Sequence, residues 1–180
     1  MKKIFAFCLA ALLLVGLVGC GGEPASPVEE ATLVEVVNDR FNITPEEFVK
    51  NLNLAAGYAL VGEGEFLEID LEEGMLYFKE SAVLNGVGIG LQVADGEENA
   101  RYIYVVPPSE DSDSEYSSVD FDTMCLFALE SIAGESDDFV SSAIVMLALD
   151  RGGSPQREGL TGDVVSCLIS DDGWFMIFPN

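Results

Sequence analysis

Histidine is absent from this chain of 180 residues, and bases are scarce: 8 lysines and arginines face 32 aspartates and glutamates, a formal charge of −24. The lack of histidine removes the Ser-His and Cys-His dyads, histidine-ligated zinc and the commonest general base. The shortage of positive charge excludes nucleic acid as a partner, because so acidic a surface repels a phosphate backbone. There is no C-x-x-C pair, and no base stands beside Cys125 or Cys167 in the sequence to lower a thiol pKa, so redox catalysis finds no support. No apolar run reaches the roughly 20 residues that a helix needs to span a bilayer. No repeat of fixed period occurs, which argues against a solenoid.

What is present begins with an export pattern. Met1-Lys2-Lys3 is positive, residues 4–18 are apolar, and Gly19-Cys20 follows. A charged start, an apolar core and small residues before a cut form the secretory-signal arrangement. The tetrapeptide Leu17-Val18-Gly19-Cys20 resembles the lipobox of bacterial lipoproteins, in which an aliphatic residue and two modest ones precede an obligatory cysteine. The resemblance covers only the first 20 residues. It implies that residues 1–19 are a leader cut off before Cys20, and that the Cys20 thiol carries a diacylglyceryl group alongside a further acyl chain such as palmitate. The implied location is a bacterial cell membrane or outer membrane, facing away from the cytoplasm, with the membrane itself as the first partner. Gly21, where aspartate would favour retention in an inner membrane, does not do so. Two acyl chains bury enough methylene to hold a protein on a bilayer, whereas one alone is marginal.

Residues 20–32 are Gly, Pro and acid with almost nothing to bury, and read as a flexible tether. Residues 33–180 are the size of one domain with its own core. Its first helix is announced by Thr44-Pro45-Glu46-Glu47: an N-cap, a proline at the first helical position and a capping-box glutamate. Ile43 and Phe48 flank it as a hydrophobic staple; Phe48, Leu52, Ala55 and Ala56 form the apolar face, and Gly57 is the stop. Residues 43–48 look like the opening helix of small uncharacterised lipoproteins, a likeness too short to imply an activity.

Strands follow. Leu67, Ile69 and Leu71 alternate with Glu68 and Asp70, a pattern that predicts one buried face and one wet face. Residues 75–79, the alternation of Val87, Ile89, Leu91 and Val93, and residues 101–106 give three more strands separated by short turns. Phe121, Met124, Cys125, Ala128, Leu129 and Ile132 recur at helical spacing. A third helix, capped by Ser136, buries Phe139, Val140, Ala143, Ile144 and Leu147, and a closing hairpin turns at Asp171-Asp172-Gly173. The expected fold is α+β: an antiparallel sheet of about six strands, in the order α, four strands, two helices, two strands, with helices on one face.

Candidate chemistry is sparse. Cys125 and Cys167 both point toward a core, and an extracytoplasmic setting permits a disulfide between them; two buried thiols are the alternative. The carboxylates at 111, 113 and 115 imitate the start of an EF-hand loop. Tyr116 stands where that loop needs glycine and Asp122 where it needs glutamate, so a solvated loop with no assigned metal ligands is expected, and weak calcium binding is the alternative. Glu46/Glu47 and Asp171/Asp172 have capping and turn explanations. A serine nucleophile would have to use Lys50 or Lys79 as base, and neither sits in a nucleophile motif. Gly86, Gly88 and Gly90 lie within a strand and lack a following helix, so they are not a phosphate loop; they suit a bare sheet face or a closely approaching helix. Trp174, Phe175, Phe178, Tyr102 and Tyr104 serve either the core or an interface. These residues assign no catalytic group and no cofactor. They point to a lipid-anchored module that binds a protein or a small ligand, with an envelope protein of basic surface as a fitting partner. The alternative is a hydrolase acting on envelope polymers through a carboxylate pair.

Overall fold

The computed structural model describes residues 34–62, 64–108, 118–132, 137–151 and 159–180, the last part of the third helix by its backbone alone. The leader, Cys20, the tether, the acidic loop at 111–115 and Ser136 lie outside the described residues.

Helix α1 (Pro45–Ala56) starts as its sequence requires. The Glu47 N–H donates to Thr44 Oγ1 at 3.3 Å, and the Thr44 N–H donates back to Glu47 Oε2 at 3.1 Å. Together they satisfy two of the amide donors that a helix start leaves without intrahelical partners. Ile43 and Phe48 are both buried, as a staple demands. Ala55, however, is exposed, and Val49 and Asn51 are buried instead, so the inward face is rotated from the one expected.

Four strands then form a meander: β1 (Leu67–Leu71), β2 (Gly74–Glu80), β3 (Gly88–Val93) and β4 (Ala100–Val106). Helices α2 (Ser118–Glu130) and α3 (Asp137–Arg151) follow, and the chain returns through β5 (Leu160–Thr161), β6 (Val165–Ile169) and β7 (Phe175–Pro179). The sheet has seven strands in the order β1-β2-β3-β4-β7-β6-β5, every pairing antiparallel. The fold is α+β with three described helices. The strand beyond the six expected is β5, whose two residues are too few to show a period.

Register sorts the side chains into two faces. Tyr77, Leu91, Ile103, Ile177 and Cys167 form one cross-strand row, and its last four members are fully buried with residues from all three helices in a single apolar cluster. The neighbouring row, Leu67, Phe78, Gly90, Tyr104, Met176 and Leu168, lies on the opposite face and is only partly covered. Glycine on that face makes room. A Cβ on Gly88 would collide with the Phe78 ring, and one on Gly90 would stand 3.0 Å from Leu76 Cδ1. The alternating glycines thus belong to the helix-free face, where β2 side chains lie across them.

Strand β1 departs from the expected pattern. All five residues are exposed, Leu67, Ile69 and Leu71 at 60%, 39% and 40%. The strand is an edge, paired only with β2, and its aliphatic residues fall on the helix-free face, so their alternation records strand geometry without burial. The turn into β2 depends on Gly74, whose φ of 127° and closeness to the Val93 carbonyl both exclude a side chain.

Candidate functional site: a pocket beside the first helix

A cavity forms where α1 gives way to the loop before β1. Gly57 ends the helix with φ 73°, its N–H donating to the Leu54 carbonyl at 3.2 Å. After Tyr58 and Ala59, which are exposed, Leu60 and Val61 enter the core completely. Asn53 fixes this entry from the helix. Its Nδ2 donates to the Val61 carbonyl at 2.8 Å, and its Oδ1 accepts from the Val61 N–H at 2.9 Å. From the sheet side, Ser81 Oγ donates to the Leu60 carbonyl at 2.5 Å and accepts from the Leu84 N–H at 3.0 Å. The loop is therefore held at both of its buried residues, and a pocket wall built on it is rigid.

That wall closes a cavity of about 700 Å3, within the ~300–1,000 Å3 range of small-molecule sites. From α1 come Glu46, Val49, Lys50, Asn53 and Leu54, spaced by three or four residues along one side of the helix. The loop contributes Tyr58, Ala59, Gly62 and Gly64, and the sheet side adds Phe66 and Lys79. The Lys79 ammonium sits 4.6 Å from the centroid of the Phe66 ring and donates to the Gly62 carbonyl at 3.1 Å. Phe66 in turn stands edge-on to Tyr77, at 5.9 Å and 88°. The described walls are thus mostly apolar, and among the described residues they carry two ammonium groups and one carboxylate.

Family models, curated proteins and solved structures offer no match to this chain. Function has to be read from the geometry.

Lys50 and Lys79, singled out in the sequence as the two lysines beyond the leader, are brought together here. Among the described residues no serine, threonine or cysteine lines the cavity beside them. Among the described residues one carboxylate, Glu46, lines the cavity, and glycoside hydrolysis needs a facing pair. Two smaller hollows also gather carboxylates: one of about 430 Å3 is lined by Glu65, Glu80 and Lys79, and one of about 230 Å3, below the size of ordinary ligand sites, gathers Glu46, Glu97 and Glu98, with Glu97 engaged by Arg40 at 2.6 Å. No group of three metal-ligating side chains occurs among the described residues.

The other candidates lie elsewhere. Cys125 on α2 and Cys167 on β6 are both fully buried, and no disulfide joins them. Glu47 works in the capping box, and Asp171 and Asp172 occupy the β6–β7 turn, which closes with the Ser170 N–H donating to the Trp174 carbonyl at 2.8 Å. The aromatic set divides: Phe175 is in the core, while Tyr102, Tyr104, Trp174 and Phe178 sit together on the helix-free side, with centroids 6.0–6.5 Å apart. Tyr104 donates from its hydroxyl to Gln92 Oε1 at 2.7 Å. Burial, and to a lesser degree the neighbouring Tyr102, push its pKa up to about 12. The pocket itself was not foreseen. Its signal in the sequence was the pair of lysines, one on a helix and one on a strand, which only the tertiary fold connects.

Proposed function

We propose that this chain is an exported lipoprotein, held on a membrane through lipid on Cys20, whose single α+β domain binds a small ligand in the pocket beside α1. The anchor half of this reading is supported by the ordered leader and the tetrapeptide ending at Cys20. The binding half is supported by one observation above the others: a cavity of ligand size, with apolar walls, convergent polar groups and a wall clamped by Asn53 and Ser81. No described helix is long and apolar enough to cross a membrane; lipid on Cys20 is the means of attachment proposed.

Gly62 gives a clean test. It lines the cavity, and a Cβ added there would meet nothing within 4 Å. Gly62→Trp therefore fills the space while leaving the backbone undisturbed. Native mass spectrometry of the protein isolated from its own membranes should show a small noncovalent adduct on the wild type that is missing from Gly62→Trp. Identical spectra for the two proteins would count against the pocket as the binding site.

A further inference from the structure

We propose that β1 is a docking edge for an extended segment of another protein in which basic and aliphatic side chains alternate, added to the sheet as a further strand. The inference goes beyond the pocket beside α1, which no residue of β1 lines. Within the described sheet β1 stands at one end and pairs with β2 alone. In an antiparallel pair alternate residues turn their backbone N–H and C=O groups away from the partner strand. Part of β1 therefore presents donors and acceptors to an open side, a template for pairing. All five of its residues are exposed.

The side chains of β1 decide what fits. Leu67, Ile69 and Leu71 lie on the helix-free face, beside Phe78, Leu76 and Gly74 of β2. Charged side chains alone would keep an edge soluble; this exposed aliphatic row gives an added strand apolar surface to bury. Glu68 and Asp70 lie on the other face, opposite Tyr77 and Met75. Lys79 shares that face but is directed to the Gly62 carbonyl and the Phe66 ring, and among the described residues no cation is paired with either acid. A second copy of this chain is the wrong occupant. Any register that keeps the aliphatic residues of two β1 strands on one face sets acid opposite acid, and like charges directly opposite are destabilising. A strand with lysine or arginine at those two places turns both contacts into attractions while its backbone continues the ladder.

The test uses short, end-capped, fluorescently labelled peptides and reads their anisotropy on the purified full chain in nonionic detergent, against a detergent blank. The probe alternates valine with lysine. One control groups the same lysines at one end, a second replaces lysine by glutamate, and a third is the probe methylated along its backbone nitrogens. The probe should bind at least about tenfold more tightly than each control. The double variant Glu68→Lys/Asp70→Lys should reverse the preference, taking the glutamate peptide over the probe. If the grouped-lysine peptide binds as tightly as the probe, general attraction to an acidic chain explains the binding and the docking edge is wrong. A double variant that keeps the wild-type preference, or a probe that does not bind, overturns it equally. Should the double variant fail to fold, the methylated peptide decides on the wild type, and binding equal to the probe refutes strand addition. None of these results bears on the pocket, which Gly62→Trp tests separately.

Discussion

Asn53 is the residue on which the pocket wall turns, and its replacement gives a calculable result. Its side-chain amide makes two hydrogen bonds to the backbone of Val61, which is fully buried. Each such bond contributes about 1 kcal/mol net, and a buried backbone group left without a partner costs about 1–3 kcal/mol. Asn53→Ala removes both bonds and orphans both groups, so the expected loss is roughly 2–4 kcal/mol, a large part of the ~5–15 kcal/mol that holds a typical domain together. Asn53→Asp keeps an acceptor for the Val61 N–H but turns a second oxygen toward the Val61 carbonyl, and should lose nearly as much. Trp174 is the chain's one tryptophan and reports unfolding from the far end of the sheet. Urea denaturation followed by its fluorescence should show a lower midpoint with an unchanged slope, because the surface exposed on unfolding is the same. A loss below about 0.5 kcal/mol in both variants would mean that water replaces the clamp, and the claim of a rigid wall would be wrong.

Two further outcomes follow from the sheet and the core. The pKa of Tyr104 in the fold, about 12, stands above its ordinary 10.0, so the fold favours the protonated phenol. Its contribution is complete below pH 10 and is lost as the pH rises through 12. Allowing for solvent screening at this half-exposed position, the loss is roughly 1 kcal/mol. Comparing urea midpoints at pH 8 and pH 11 should show a smaller alkaline loss in Tyr104→Phe than in the wild type, and equal losses would refute the assignment. Cys125 and Cys167 should resist iodoacetamide in the folded protein and both react after denaturation without reductant. An unfolded chain that takes up neither label at these positions would establish a disulfide instead.

Local signals carried much of the fold. The first turn of α1 was readable from Thr44 to Glu47 because capping is decided by neighbours in sequence, and the buried face of α2 was readable because five apolar residues, Phe121, Met124, Cys125, Ala128 and Leu129, share one helical stripe. Where the sequence misled, the deciding contact was distant. Leu67, Ile69 and Leu71 alternate like a half-buried strand, but burial depends on what covers a strand, and β1 lies at an uncovered edge. The roles of Gly88 and Gly90 became clear only when register put Phe78 and Leu76 across them. The pocket is the extreme case. Its lysines come from α1 and β2, and its wall from a loop whose position is set by Asn53 and Ser81, so no stretch of sequence contains it.

The measurement that bears most directly on the proposed account is the intact mass of the protein taken from its native membrane. The account predicts a chain beginning at Cys20, heavier than its amino-acid sequence by the mass of a diacylglyceryl group and any further acyl chain, with fragmentation placing the added mass on that residue. A chain that still carries residues 1–19, or an unmodified Cys20, would contradict it.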